Sequence, residues 1–206
     1  MTEQCFPAAA GRRPRRPGPG AAPIAAVLLD RDGTVNVKAP EGRYITTPGE
    51  LALLPGAAGA IARLNAASVP VILVTNQRWL SARSDLTPYH RVHARLEELL
   101  AENGAHLDGA YYCPHAAGSC HCRKPAPGLL ERAAQEHLFS LAEAVMIGDS
   151  ESDVEAGRAV GTATILLSAA PDALSRADYA VANLAEAVRL ILGDRSRPRP
   201  VKSGYP

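Results

Sequence analysis

No apolar run in the 206 residues approaches the ~18 that a membrane span requires, so the chain is read as having no transmembrane segment. The N-terminus lacks an apolar stretch of the roughly 7–15 residues that a secretory signal needs, which points to the cytoplasm. There is no internal repeat and almost no net charge, +1. That balance hides an asymmetry. Residues 1–23 and 194–206 each contribute +3, so the segment between carries −5. The flanks are rich in Pro, Gly and Arg and are expected to be disordered basic tails, leaving one domain over 24–193. An acidic core argues against a nucleic-acid partner, and a monomer is the expected state. Cysteine is scarce as well. Of four, three lie within ten residues beside a histidine, which favours a metal over disulfides.

What is present is alternation. Continuous apolar runs at 24–29, 71–74, 110–112, 144–147 and 163–167, with a weaker one at 179–181, suit strands buried on both faces of a parallel sheet. Helices are predicted between them, at 56–65, from Thr87-Pro88 to Asn103-Gly104, and at 127–137, 150–160 and 183–192. The expected fold class is α/β, a doubly wound, mostly parallel Rossmann-like sheet.

Polar residues then fall at successive strand ends. Asp30 and Asp32 follow the first strand, Thr75 and Asn76 the second, Cys113 the third, and Gly148-Asp149 the fourth. Open α/β sheets bind ligands along that carboxyl edge, so residues some 120 positions apart are expected in one crevice. Asp30, Asp32, Asp149 and Asp153 there would repel one another without a cation, and an all-oxygen set suits Mg²⁺. Asp30 or Asp149 alone reads equally well as a turn or helix cap. Thr75 and Asn76 offer an anion cradle, and Lys124 adds a mobile cation. Together these groups are the equipment of phosphoryl transfer.

A second cluster, Cys113-x-His115-x₄-Cys120-x-Cys122, supplies three thiolates and an imidazole. This is a closed tetrahedral Zn²⁺ set, hence structural. His121, between two ligands, is expected to point away. Arg123 and Lys124 follow at once, so the loop should fix two cations at the mouth of the crevice, with Arg123 contacting substrate. The gaps between these groups leave room for a small flap around Tyr44 but not for a separate cap domain.

In order, Asp30-x-Asp32-Gly33-Thr34, Thr75-Asn76-Gln77, Arg123-Lys124-Pro125 and Gly148-Asp149-x-x-x-Asp153 resemble the four motifs of the haloacid dehalogenase (HAD) superfamily of phosphatases, over residues 24–192. The resemblance implies Asp30 as nucleophile and Asp32 as general acid and base. It implies Mg²⁺ on Asp30, Asp149 and the Asp32 carbonyl, and Thr75, Asn76 and Lys124 on the phosphoryl oxygens. Asp153 supports the metal site from behind. The zinc loop narrows the likeness to the branch containing heptose bisphosphate and histidinol-phosphate phosphatases. Thr34-Val35-Asn36-Val37 and Tyr111-Tyr112-Cys113 are similar to its heptose members. The implied substrate is a small sugar phosphate, namely the 7-phosphate of D-glycero-D-manno-heptose 1,7-bisphosphate, with histidinol phosphate as the alternative. One departure stands out: Arg78-Trp79-Leu80-Ser81-Ala82-Arg83 replaces the branch's usual Ser-Gly-Ile-Ala-Arg-Gly. Arg83 would stand in for the missing arginine, and Trp79 reads either as a ring stacked on a sugar or as packing beneath the loop, with packing favoured.

Overall fold

A computed structural model describes residues 24–81, 83–170 and 174–193. The two basic tails expected from the sequence lie outside the described residues. Six strands form one sheet: β1 (Ala26–Leu29), β2 (Val71–Asn76), β3 (Gly109–Cys113), β4 (Ala144–Gly148), β5 (Ala163–Leu167) and β6 (Tyr179–Val181). Their spatial order is β3-β2-β1-β4-β5-β6 and every pairing is parallel. The helices are α1 (Ala57–Ala66), α2 (Thr87–Ala101), α3 (Gly128–His137), α4 (Glu151–Ala159) and α5 (Leu184–Ile191).

Successive side chains of a strand face opposite ways, and β1 shows what this does. Val27 and Leu29 join a core with residues of α1, α2 and α5, while Ala26 and Leu28 join a second core with α3 and Ala156 of α4. A strand apolar at every position is thus covered on both faces, as its unbroken run predicts.

Small differences from the sequence reading have local causes. Parallel pairing carries β2 to Asn76 and β3 to Cys113, so Thr75, Asn76 and Cys113 are the last residues of strands rather than the first of loops. The long helix begins at Thr87, one place earlier than a Thr87 cap would give. Leu86 is the cap, Pro88 sits in the first turn, and Asp85 Oδ1 accepts from the Thr87 N–H at 2.8 Å. Ser150 and Asn183 cap α4 and α5.

The register aligns the strand ends that matter. Leu29 pairs with Leu73 on one side and Ile147 on the other. Asp30 therefore leaves the sheet at its middle strand, between Thr75 and Asp149. The chain works outward from β1 to β3, then returns to β4 on β1's other flank, so a topological switch point opens beside Asp30.

Candidate active site

A cavity of about 390 Å³ opens at that switch point. Asp30, Asp32, Thr75, Asn76, Lys124 and Asp149 border it, and Arg123 and Asp153 complete that side. The opposite wall is residues 38–45, the short flap anticipated around Tyr44. The structure thus brings all eight predicted active-site residues to one crevice.

Two glycines make the close approaches possible. Gly33 has φ +94°, and a Cβ there would collide with the Asp149 carboxylate. A Cβ on Gly148 would collide with the Asp153 side chain. Each glycine lets a carboxylate lie against backbone.

Asp30 is held by Lys124, whose Nζ lies 2.7 Å from Asp30 Oδ1, 2.6 Å from Asp153 Oδ1 and 2.7 Å from the Val74 carbonyl. An ammonium has three N–H donors, and here three protein acceptors take them. Lys124 is 3% exposed. The expectation of a mobile lysine at the mouth is corrected: Lys124 is a buried strut under the nucleophile, because two carboxylates converge on it. Burial pushes the Asp30 carboxyl up to about 7. Lys124 opposes that shift, and the charges of Asp153 and Asp32 add to it. For Lys124, burial works against the charge, but Asp153 and Asp30 override it and raise its pKa. Asp153 itself is tied down by Ser150, whose Oγ donates to Oδ2 at 2.7 Å and whose N–H donates at 3.2 Å.

Asn76 also differs from expectation. Its Nδ2 donates to the Lys124 carbonyl at 3.0 Å, and its Oδ1 accepts from the Lys124 N–H at 3.1 Å. Asn76 borders the cavity, but its amide clamps the lysine's backbone.

Asp32 is surrounded by donors that sequence reasoning missed. Arg31, wholly buried, reaches it through Nε at 3.3 Å and Nη2 at 3.1 and 3.0 Å. Asn36 Nδ2 donates at 3.0 Å and Gln77 Nε2 at 2.8 Å. The available signal for Gln77 was its position two residues after Thr75, on the same side of extended chain. Lys38 was missed too. Its Nζ lies 2.8 Å from Asp149 Oδ2, and this partner keeps the ammonium charged despite partial burial. Arg83 does not border the cavity; its guanidinium lies 5.0 Å above the Trp79 ring.

Oxygen ligands from Asp30, Asp149 and Asp153 lie within 4.8 Å of one another, a hard all-oxygen set that fits a divalent cation such as Mg²⁺. The second cluster also fits its metal. Sulfur–sulfur distances are 3.5 Å for Cys113–Cys120, 3.3 Å for Cys113–Cys122 and 3.2 Å for Cys120–Cys122. His115 Nδ1 is 3.6 Å from Cys113 Sγ and 3.2 Å from Cys122 Sγ. A Zn–S bond near 2.3 Å implies tetrahedral edges of about 3.8 Å, so a small contraction separates the set from ideal coordination. Burial first, then the thiols of Cys120 and Cys113, push the Cys122 thiol up, a strain that a cation relieves. His121 turns outward to Glu131 at 2.9 Å, as expected.

A family profile described as HAD-hydrolase-like matches residues 121–187. A D-glycero-beta-D-manno-heptose-1,7-bisphosphate 7-phosphatase of Pseudomonas aeruginosa is 38% identical over 143 residues, 68% of this chain and 79% of that protein. This chain belongs to the HAD-like phosphatases. Another such relative, the D-glycero-D-manno-heptose-1,7-bisphosphate 7-phosphatase of Thermosynechococcus vestitus, is 37% identical over 192 residues, 82% of this chain and 96% of its own length. Among solved structures, the B. bronchiseptica D,D-heptose 1,7-bisphosphate phosphatase complexed with magnesium and phosphate superposes with a TM-score of 0.71 at 31% identity, covering 82% of this chain and 98% of that one. The described residues form one parallel sheet with its helices and include no separate cap domain.

Proposed function

We propose that this HAD-like phosphatase removes the 7-phosphate of a D-glycero-D-manno-heptose 1,7-bisphosphate through a phosphoaspartate on Asp30. The observation that carries the reading is Asp30 itself. It is a carboxylate at the end of the central strand, braced by a buried lysine and facing a cavity of sugar-phosphate size, in a chain whose relatives have that activity. An Asp30 oxygen attacks phosphorus as the bond to the sugar oxygen breaks. Asp32 gives that oxygen its proton, then takes one from the water that hydrolyses the phosphoaspartate, releasing phosphate and restoring Asp30. Lys124 offsets the charge that builds on Asp30 and the phosphoryl oxygens, and the Thr75 hydroxyl binds one of those oxygens. Asp30, Asp149 and the Asp32 carbonyl would hold Mg²⁺, with Asp153 fixing the site from behind. Bound there, the ion neutralises phosphoryl charge. Cys113, His115, Cys120 and Cys122 would hold a structural Zn²⁺ that sets the path of the loop leading to Arg123 and Lys124.

The retained phosphate is assigned to Arg123, which borders the cavity one residue beyond the cysteine cluster. A planar guanidinium engages phosphate oxygens in pairs. Phosphate release from heptose 1,7-bisphosphate, heptose 7-phosphate and histidinol phosphate tests the reading, with Asp30→Asn as the control. The expected order is bisphosphate first, with Asp30→Asn inactive but folded. A higher kcat/KM on histidinol phosphate would replace the heptose assignment, and an active Asp30→Asn would end the phosphoaspartate mechanism.

A further inference from the structure

Two residues outside the cavity form a hydrogen-bonded relay that ends on it. Trp79 Nε1 donates to Gln77 Oε1 at 2.7 Å. Gln77 Nε2 in turn donates to Asp32 Oδ2 at 2.8 Å and to Thr75 Oγ1 at 2.9 Å. The chemistry at each end fixes the direction of the chain. An indole N–H only donates, and a carboxylate only accepts. Between them the Gln77 amide has a single allowed orientation. Gln77 is wholly buried, and its backbone N–H is pinned to the Cys113 carbonyl at 2.7 Å. Because Thr75 Oγ1 accepts from Gln77, its own hydrogen points elsewhere, and Thr75 borders the cavity.

We propose that Trp79 is a positioning residue for phosphoryl transfer. Its indole N–H locks the Gln77 amide, and the amide sets both Asp32 and the donor direction of the Thr75 hydroxyl. The inference rests on the phosphatase reading and adds to it a residue that never touches substrate. Trp79 lies in the short turn Arg78–Leu80 just after β2, two residues beyond Gln77. Without the indole N–H the amide is held from one side only, by Asp32 and Thr75. Its hydrogen bonds to both loosen, and the Thr75 hydroxyl and the Asp32 carboxyl lose their fixed placement toward the phosphoryl group.

Trp79 is the only tryptophan in the chain. Biosynthetic replacement of tryptophan by benzothienylalanine therefore changes this ring alone, exchanging N–H for sulfur while keeping its shape. Aryl phosphate hydrolysis is then measured per folded molecule, alongside the melting midpoint. The expected result is a kcat about 5–30-fold lower, the factor carried by one buried hydrogen bond, with KM within about twofold. Trp79→Phe should behave alike, and in a Gln77→Ala background the analogue should lower kcat no further. A purely packing role would lower the melting midpoint and leave kcat unchanged, and that result overturns the proposal. So does an equal kcat loss with and without Gln77. A wild-type chain that releases no phosphate overturns the phosphatase reading itself, whereas an active wild type with an unaffected analogue overturns only the role of Trp79.

Discussion

Replacing Lys124 by methionine removes one positive charge from beneath two carboxylates while keeping the length of the side chain. The ammonium is buried and sits 2.6–2.7 Å from Asp30, Asp153 and the Val74 carbonyl. Removing one partner of a buried ion pair costs about 3–5 kcal/mol, because the remaining charge is left without compensation. For a domain of this size that is a fall of roughly 6–20 °C in melting temperature, at about 2–4 °C per kcal/mol. Total stabilities run about 5–15 kcal/mol, so the variant should fold but be strongly weakened. The deficit should also depend on pH. Burial already raises the Asp30 carboxyl to about 7, above its ordinary value of 3.8. A carboxyl raised on folding supports stability below its unfolded pKa and withdraws that support as pH rises through the folded value. Loss of the ammonium raises it further, so the gap between variant and wild type should widen from pH 5 to pH 8. Urea unfolding at several pH values, in chelator and then in saturating Mg²⁺, measures this directly. The dication should recover part of the loss by neutralising Asp30. A deficit under about 1 kcal/mol at pH 8, or one that narrows as pH rises, would refute the account of Lys124 as a buried strut.

Mg²⁺ affinity should fall as pH drops below about 7, since Asp30 must shed a proton to bind the ion. Calorimetry in buffers of different ionisation heat should register proton release near neutrality, and a pH-independent affinity would contradict the shift. Purified protein should carry one zinc per chain that dilute chelator does not remove. A Cys120→Ser/Cys122→Ser variant should lose it and show faster amide exchange across 113–124; unchanged exchange there would deny the loop its metal.

The architecture was legible because unbroken apolar runs, interrupted by helical spacing, admit few arrangements other than a covered parallel sheet. That sheet in turn placed Asp30, Thr75 and Asp149 together. Side-chain partnerships were less legible. Arg31 carries no expectation from the sequence, because arginine is rarely buried by type and nothing in the chain marks its pairing with Asp32 in advance. Lys124 read as mobile because its two acids come from distant segments, Asp30 and Asp153. Asn76 read as an anion donor because its amide has no visible partner until the segment carrying Lys124 folds across it. Lys38 lies 111 residues from Asp149, in a stretch with no periodic signal.

The cavity has two walls of different character. One is the end of the central strand and its neighbours, pinned by ladders on both sides of β1 and reachable by solvent exchange only through opening the most protected part of the sheet. The other, residues 38–45, is largely exposed; Ile45 anchors its end in the core, and the Lys38–Asp149 pair ties its start to the far side. Residue changes in that outer wall can reshape what the cavity admits at little energetic cost, while changes beside β1 put the whole domain at stake.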